Sequence, residues 1–224
     1  MANRFAVLGS PIAHSKSPLL HRAAISVLGI DAEYDAINVT DSEFSGFLAD
    51  QGPDALGFSL TMPLKHVVRP LLKSECETST LTGAVNTIVR GPDGWHGFNT
   101  DVWGAQTAIA QSLGTHFDSA VVLGAGATAS SIVAALHGVG IRDITIVARN
   151  VVKARPVADL ARRLGIESRV TELGRESVQA DLVVNTLPGS VELDAFIVDD
   201  IDAGGRLPTV RVRGKGDKER VVPF

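Results

Sequence analysis

Polar side chains in the first half of the chain fall into four short segments, at positions 15–17, 59–65, 86–87 and 99–101. Each segment lies at the end of a predicted strand, where open α/β sheets usually bind their ligands. Lys65 and Asp101 could meet at such a site, and a lysine near a carboxylate is a candidate proton carrier for the oxidation of an alcohol. Spacing alone does not exclude the alternative that these two residues are unrelated surface charges.

Ser15 and Ser17 lie one residue apart at the start of a predicted helix. Their hydroxyls would lie beside free backbone N–H groups and the positive end of the helix dipole, which suits a carboxylate. Considered alone, Ser17 is better explained as the N-cap of that helix.

A glycine turn in the second half of the chain has the pattern GxGxxA, with Gly124, Gly126 and Ala129 between a predicted strand and a predicted helix. In this arrangement backbone N–H groups and a helix N-terminus receive a pyrophosphate. Gly124 permits the tight turn, and Gly126 leaves room for the phosphate. Out of context the pattern is weak evidence, because an ordinary strand-to-helix turn looks the same.

The next predicted strand ends at Ala148 and is followed by Arg149 and Lys153. A site for an unphosphorylated adenosine ribose usually has Asp or Glu about 20 residues after the glycines, and no carboxylate stands at the end of this strand. Arg149 and Lys153 could instead hold a 2′-phosphate through charge-assisted hydrogen bonds. The sequence therefore favours NADP over NAD, with a solvated helix start as the alternative explanation of the two cations.

The elements that would position these residues alternate between short apolar runs and helical-period segments, which indicates an α/β fold with a mostly parallel sheet. A Gly-Pro-Asp-Gly turn at 91–94 predicts one antiparallel hairpin. The predicted strands are 4–8, 33–39, 55–59, 84–89, 94–98, 120–123, 143–148, a weak one near 169, and 180–184. The predicted helices are 18–28, a short one capped by Thr40 or Asp41, 64–72, 101–113, one ending near 139 and one ending near 164.

Composition excludes several classes of protein. The chain has 224 residues, a net charge of -4, a single cysteine and six histidines. One cysteine makes no intrachain disulfide, the histidines are not at metal-ligand spacing, and no apolar run is long enough to span a membrane. We expect a cytoplasmic protein without a metal.

The charge is unevenly distributed along the chain. Residues 206–224, called the tail below, hold six basic and two acidic residues, which leaves +4 there and -8 in the first 205 residues. We predict a substrate-binding and catalytic domain at 1–103, a dinucleotide-binding domain at 104–205 and the tail at 206–224. Nucleic acid is not an expected partner, because the body is acidic and the tail has no aromatic stacking residue except Phe224.

Six motifs occur together in the order and spacing of one family: SKS at 15–17, SLTMPLK at 59–65, GAVNT at 83–87, FNTD at 98–101, VLGAGATA at 122–129 and NTLP at 185–188. On these motifs the chain resembles shikimate dehydrogenase from residue 4 to about residue 200. The resemblance implies reversible hydride transfer between NADPH and 3-dehydroshikimate, in which Lys65 protonates the carbonyl oxygen, within aromatic amino-acid biosynthesis.

The resemblance also assigns residue roles. It implies that Ser15 and Ser17 bind the substrate carboxylate, that Thr61, Asn86 and Asp101 hold ring hydroxyls, and that Lys65 and Asp101 form the catalytic pair. The residues implied to bind NADP are Gly124, Ala125, Gly126, Ala127, Arg149 and Lys153, with Asn185, Thr186 and Leu187 on the nicotinamide side. The partner is a small molecule, and the protein is expected to be a monomer or a homodimer.

The sequence departs from the family after Pro188, where a further strand, a tyrosine-bearing segment and closing helices would follow. We therefore expect an incomplete Rossmann domain and an activity that truncation could impair.

The end of the tail is similar to a strand-turn-strand segment of tyrosine recombinases, with Lys215 as the turn lysine, although the other recombinase residues are lacking. A gene fusion or frame junction near 190–205 would explain the change. The alternatives are a quinate/shikimate dehydrogenase and a non-catalytic binding remnant.

Overall fold

We describe the protein from a computed structural model, which describes residues 2–113, 117–174, 178–187, 196–199 and 210–214. The chain divides into two compact units after Thr100. We call them the first unit and the second unit. The predicted domain limits at residues 103 and 205 stay predictions.

The first unit is built on a six-stranded sheet with helices at its connections. The strand order is β2-β1-β3-β5-β6-β4, in which β1, β2 and β3 are parallel, β5 is antiparallel to both neighbours, and β4 is parallel to β6. Its strands are β1 Asn3–Gly9, β2 Ala32–Asn38, β3 Ala55–Leu60, β4 Ser74–Glu75, β5 Thr87–Gly91 and β6 Gly94–Phe98. Its helices are α1 Ser17–Leu28, α2 Asp41–Ala49, α3 Leu64–Val67 and α4 Glu77–Thr82, with a 3-10 turn at Arg69–Leu71.

The local sequence explains most of these elements. Thr40 is the N-cap of α2, and the Glu43 carboxylate accepts hydrogen bonds from the Thr40 backbone N–H at 3.1 Å and hydroxyl at 2.6 Å. Phe44 and Leu48 are the buried residues of α2, and both pack in the hydrophobic core beside the sheet. The chain direction reverses at the predicted hairpin, where Gly94 has a φ of 137° that favours glycine.

The second unit contains a four-stranded sheet of order β11-β7-β8-β9, in which neighbouring strands are parallel. Its described strands are β7 Ser119–Leu123, β8 Asp143–Ala148, β9 Glu167–Glu172, β10 Val178–Ala180, β11 Leu182–Asn185, β12 Phe196–Asp199 and β13 Val210–Gly214. Its described helices are α5 Asp101–Leu113, α6 Ala127–Gly138 and α7 Val151–Arg163. A separate antiparallel sheet has the order β10-β13-β12.

The order of the parallel strands indicates where the ligand-binding crevice of this sheet lies. The chain leads from β7 to β8 to β9 on one side of β7, and β11 then pairs with β7 on its other side. The reversal between β7 and β11 is a topological switch point, which in open α/β sheets opens the crevice that binds a ligand. The predicted α/β class and mostly parallel sheets are confirmed.

Some elements differ from their predictions. The strand predicted at 180–184 is two strands in different sheets, β10 and β11, and the predicted helix at 64–72 is the short α3 followed by a 3-10 turn. β4 and α4 were absent from the predicted elements. Within the described ranges, no helix has both the length and the apolar character that crossing a bilayer requires.

Candidate active site

The loop after β1 leads directly into α1 and carries the two serines. The N-cap of α1 is Lys16 and Ser17 is its first residue, so the explanation of Ser17 as the cap is wrong. The Ser17 backbone N–H donates to Ser15 Oγ at 3.3 Å. Among the described residues neither serine hydroxyl donates to an acceptor. Both hydroxyls are therefore available to a carboxylate at the start of this 12-residue helix.

The loop after β3 is held against the end of β1 by backbone hydrogen bonds. The Thr61 N–H donates to the Leu8 carbonyl at 2.9 Å, and the Ser10 N–H donates to the Met62 carbonyl at 3.0 Å. A Cβ on Gly9 would lie 2.4 Å from Thr61 Cγ2, so glycine permits this approach. The Thr61 hydroxyl makes no hydrogen bond within the part of the chain that the structure describes, and can bind a ligand there.

Lys65 lies in the first turn of α3, and two hydrogen bonds tie that turn to the segment before β5. The Lys65 carbonyl accepts from the Val85 N–H at 2.9 Å. The next residue, His66, pairs through Nδ1 with the Gly83 carbonyl at 2.7 Å, so its Nδ1 carries the proton. The Lys65 side chain is half-buried. This arrangement fixes the backbone of the predicted proton carrier against the segment that leads to Asn86.

Asn86 completes the polar set of the first unit. Its backbone carbonyl accepts from the Leu60 N–H at 2.7 Å, which places it beside the carboxyl end of β3. Its side-chain amide is hydrogen-bonded to Thr100 and to Thr87. Sequence reasoning assigned no role to these two threonines, although both lie in quoted motifs. The predicted hairpin could have indicated the contact with Thr100, because its register sets Thr87 opposite Phe98 and so brings Asn86 near Thr100.

Asp101 is the first residue of α5 and the first residue of the second unit. The 13-residue helix begins where it was predicted. The pairing of Asp101 with Lys65, which belongs to the first unit, stays a prediction.

The glycine turn after β7 forms the start of α6. Gly124 has a φ of 112°, which favours glycine, and its N–H donates to the Val147 carbonyl at 2.9 Å. Gly126 is the N-cap of α6, and a Cβ built on it meets nothing within 4 Å. The helix N-terminus therefore faces space beside Gly126. Ala125 and Ala127 flank that residue in the turn, and the 12-residue helix starts at Ala127.

The segment after β11 borders the same turn. The Thr186 N–H and hydroxyl both donate to the Leu123 carbonyl, at 2.9 and 2.7 Å. The Leu187 N–H donates to Asn185 Oδ1 at 2.9 Å. A Cβ on Gly124 would lie 2.4 Å from Thr186 Oγ1. The predicted nicotinamide-side residues and the predicted pyrophosphate turn thus lie together at the switch point.

Arg149 and Lys153 follow β8, the strand next to β7. Both side chains are exposed, and within the described ranges neither makes an ion pair or a side-chain hydrogen bond. Asn150 caps α7 by accepting from the N–H groups of Val152 and Lys153, both at 3.0 Å. Open space at Gly126, a free helix N-terminus and two unpaired cations at the neighbouring strand end fit a dinucleotide that carries a 2′-phosphate.

Among the described residues, no group of three or more His, Cys, Asp or Glu side chains is arranged to bind a metal ion. The geometry instead supports two kinds of site: hydroxyl and amide groups around the ends of β1 and β3, and an anion cradle at the start of α6.

Two family models match the chain. A model described as the shikimate dehydrogenase substrate binding domain matches residues 7–88, and one described as shikimate / quinate 5-dehydrogenase matches residues 108–190. The first match contains the polar segments at 15–17, 59–65 and 86–87, and the second contains the glycine turn and the segments that follow β8 and β11. The segment at 99–101 lies between the two matches.

Similar proteins and solved structures point to the same family as these two models. The chain is 39% identical over 186 residues to "Shikimate dehydrogenase (NADP(+))" of Oleidesulfovibrio alaskensis, covering 82% of this chain and 64% of that protein. Shikimate dehydrogenase of Mycobacterium tuberculosis superposes with a TM-score of 0.73 at 37% identity, over 83% of this chain and 70% of that one. The Thermus thermophilus enzyme in complex with NADP(H) and shikimate has a TM-score of 0.71 at 32% identity, over 84% and 69%. The chain thus spans about two thirds of these relatives' length.

Proposed function

The chain belongs to the shikimate dehydrogenase family, and we propose that it catalyses the reversible, NADP-dependent reduction of 3-dehydroshikimate to shikimate in aromatic amino-acid biosynthesis. One observation carries the proposal. The polar groups at the ends of β1 and β3 include hydroxyls on Ser15, Ser17 and Thr61 that make no donating contact among the described residues, as a site for a hydroxylated carboxylate requires.

The substrate's two kinds of polar group match two parts of this site. The hydroxyls of Ser15 and Ser17 would bind the carboxylate, where the start of α1 favours negative charge. Thr61, Asn86 and Asp101 would hold the ring hydroxyls. Hydroxyl and amide groups serve here because each can donate to, or accept from, a ring hydroxyl.

Lys65 would transfer the proton. In the reducing direction its ammonium gives a proton to the carbonyl oxygen while hydride adds to the carbonyl carbon, and in the oxidising direction its amine takes the hydroxyl proton. Asp101 would act with it as the second member of the catalytic pair. The hydrogen bond between the Lys65 carbonyl and the Val85 N–H supports this role, because it holds the lysine backbone in place.

NADPH, when bound, supplies the hydride from C4 of its nicotinamide. Gly124, Ala125, Gly126 and Ala127 would hold the pyrophosphate through backbone N–H groups at the start of α6. Two further sets would complete the cofactor site: Arg149 and Lys153 at the 2′-phosphate, and Asn185, Thr186 and Leu187 beside the nicotinamide.

The wider proposal follows the same division of labour. Residues 1–103 would bind substrate, residues 104–205 would bind NADP, and the tail would take part in neither. We also propose a cytoplasmic monomer or homodimer whose partner is a small molecule. The recombinase-like turn lysine, Lys215, lies outside the described residues, so that resemblance stays a prediction.

The proposal is tested by following NADPH formation at 340 nm with shikimate and with quinate, using NADP and NAD in turn. The parent chain should oxidise shikimate with NADP. Lys65→Met should lower kcat by about 100-fold or more and leave NADP binding unchanged, because only the proton carrier is lost. Lys73→Met is the matched control, since this lysine lies beside the Gly94 turn, and it should keep parental activity.

Each other outcome contradicts a definite part of the proposal. Full activity of Lys65→Met would remove the lysine from the reaction. Faster turnover of quinate than of shikimate would favour the quinate/shikimate alternative, which the name of the second matching family model also allows. Binding of NADP and shikimate without turnover would favour a non-catalytic remnant.

A further inference from the structure

The side-chain amide of Asn86 is hydrogen-bonded at both of its ends by Thr100. Asn86 Nδ2 donates to Thr100 Oγ1 at 2.8 Å, and the Thr100 backbone N–H donates to Asn86 Oδ1 at 3.0 Å. The Thr100 hydroxyl also lies 3.2 Å from Oδ1. One threonine therefore makes contacts with the donor end and the acceptor end of the same amide.

These contacts determine which way the amide points. A backbone N–H can only donate, so the amide atom that faces it must be the oxygen. Turning the amide over would set Nδ2 against that N–H and leave Oδ1 facing the hydroxyl. Thr87 adds a donation from its hydroxyl to Oδ1 at 3.0 Å, which is compatible with oxygen at that end. Thr100 differs from Thr87 because it also accepts from Nδ2.

The backbone on both sides of the pair is fixed as well. The Asn86 N–H donates to the Phe98 carbonyl at 3.0 Å, which continues the ladder between β5 and β6. Its carbonyl accepts from Leu60 at the end of β3. Close by, buried Asn99 donates to the Thr82 hydroxyl at 2.9 Å. The backbone of Asn86 is thus held in place on both sides. The orientation of its side-chain amide therefore depends on the contacts that the amide itself makes.

We infer that Thr100 is a positioning residue that sets the orientation of the Asn86 amide and, through it, recognition of a ring hydroxyl. The inference rests on the proposed function, in which Asn86 holds that hydroxyl. Loss of the Thr100 hydroxyl leaves Nδ2 without this acceptor, while the Thr100 backbone N–H still donates to Oδ1. The donor end of the amide is then held less firmly and binds the substrate less well. Asn86 takes no part in the proposed cofactor site, so the affinity for NADP stays unchanged.

The kinetic test compares Thr100→Val, which keeps the side-chain shape, with Thr100→Ser, which keeps the hydroxyl. We expect Thr100→Val to raise KM for shikimate and lower kcat/KM by about 3- to 10-fold, with KM for NADP unchanged. Thr100→Ser should restore most of the loss. Thr80→Val is the matched control, because Thr80 is also exposed and its hydroxyl donates to one backbone carbonyl, at 3.2 Å.

A double-mutant cycle separates positioning from general damage. If Thr100 acts through Asn86, Thr100→Val should change kcat/KM less than about twofold in an Asn86→Ala background. An equal loss in both backgrounds would overturn the inference. So would a rise in KM for NADP that matches the rise for shikimate, because that pattern indicates a structural defect.

A readout without turnover keeps this inference distinct from the proposed function. In ¹⁵N-labelled protein without ligands, the Nδ2 protons of Asn86 should exchange with solvent at least about threefold more slowly than in Thr100→Val, and Thr100→Ser should resemble the parent. Equal exchange in parent and Thr100→Val would overturn the inference even if shikimate is oxidised. A parent chain without shikimate turnover would contradict the proposed function, while the exchange rates would still show whether the Thr100 hydroxyl holds the Asn86 amide.

Discussion

At the scale of single residues, the two glycines of the turn after β7 serve different purposes. Gly124 combines a φ of 112° with a Cβ position only 2.4 Å from Thr186 Oγ1, so any side chain strains the fold. Gly126 has a φ of -94°, and its Cβ position meets nothing within 4 Å. The fold needs glycine at the first position, whereas at the second only a ligand would need it.

Gly126→Ala should therefore weaken NADP binding without weakening the fold. A methyl group there would hold the pyrophosphate away from the N-terminus of α6, and we expect the Kd for NADPH to rise about tenfold. The free energy of unfolding should stay the same or rise slightly, because alanine restricts the unfolded chain. Fluorescence titration with NADPH and thermal unfolding measure the two quantities.

Gly124→Ala is the comparison for that experiment. It should lower the stability of the second unit by about 1–3 kcal/mol, since a positive φ and a close contact are both imposed on alanine. If Gly126→Ala unfolds as easily as Gly124→Ala, or binds NADPH as tightly as the parent, the assignment of the turn to the pyrophosphate is wrong.

Residue types alone suggested several candidate site positions, because parallel strands end at one edge and polar residues follow them. Thr61 after β3 and the glycine turn after β7 are candidates of this kind. The contact between Thr100 and Asn86 could be found only by way of the predicted hairpin, since it joins positions 14 apart and depends on the closed hairpin. The capping explanation of Ser17 could be excluded only from the structure, because it depends on the residue at which α1 begins.

At the scale of elements, apolar periodicity predicted long helices better than short ones. α7 contains Pro156, which removes the N–H that would bond to the Val152 carbonyl, yet the helix continues to Arg163. Its buried face explains why, because packing against the sheet outweighs the lost bond; the face is formed by Ala154, Val157, Ala158, Leu160 and Ala161. α4 and β4 have only six and two residues, too few to produce a period.

The start of β11 is tied to the start of β7 by one carboxylate. Asp181 accepts hydrogen bonds from the N–H groups of Asp118 and Ser119 and from the Ser119 hydroxyl, at 3.0, 2.9 and 2.8 Å. Burial opposes the charged form, but the hydrogen bonds from Ser119 and Asp118 outweigh it, so the pKa of Asp181 lies below its ordinary value. Asp181 therefore stabilises the β7–β11 pair in its ionised state.

The stabilisation by Asp181 should depend on pH. Because the folded-state pKa is lowered, the contribution is complete above about pH 5 and is lost as the pH falls below about 4. Asp181→Asn resembles the protonated acid, so it should cost about 1 kcal/mol at pH 7 and progressively less in acid. Hydrogen exchange of the β7 amides in increasing urea, compared between variants at each pH, measures this difference.

Asp159→Asn is the control for the pH experiment. Asp159 pairs with Arg162 on the surface of α7, where an exposed ion pair contributes little. This variant should change stability by less than about 0.5 kcal/mol at either pH. A cost for Asp181→Asn that is the same at pH 7 and pH 3.5 would show that the carboxylate's charge is not what matters.

At the scale of the whole molecule, each unit has apolar clusters of its own. One cluster of the first unit surrounds Phe44, Phe58 and Ile88, and one of the second unit surrounds Val121, Leu123 and Val147. The two groups of predicted ligand-binding segments follow the same division, apart from Asp101 at the first position of the second unit. Two domains could be predicted from the sequence because the strand-and-helix pattern begins again after α5.

Hydrogen exchange with different ligands should therefore give different maps of protection. NADP alone should slow exchange in three segments of the second unit, because a ligand that binds only the folded state suppresses local opening where it makes contact. These segments are 122–129, 147–153 and 185–187. Shikimate added to the NADP complex should extend protection to the polar segments of the first unit, at 15–17, 61–66 and 86–87.

NAD provides the control within this experiment, because it differs from NADP only by the 2′-phosphate. At equal saturation it should protect 122–129 as NADP does, but it should leave 149–153 less protected, since Arg149 and Lys153 then have no phosphate to bind. Equal protection of 149–153 by both cofactors would remove these cations from the cofactor site. Protection of 149–153 without any protection of 122–129 would instead indicate that a phosphate binds at Arg149 while the glycine turn takes no part.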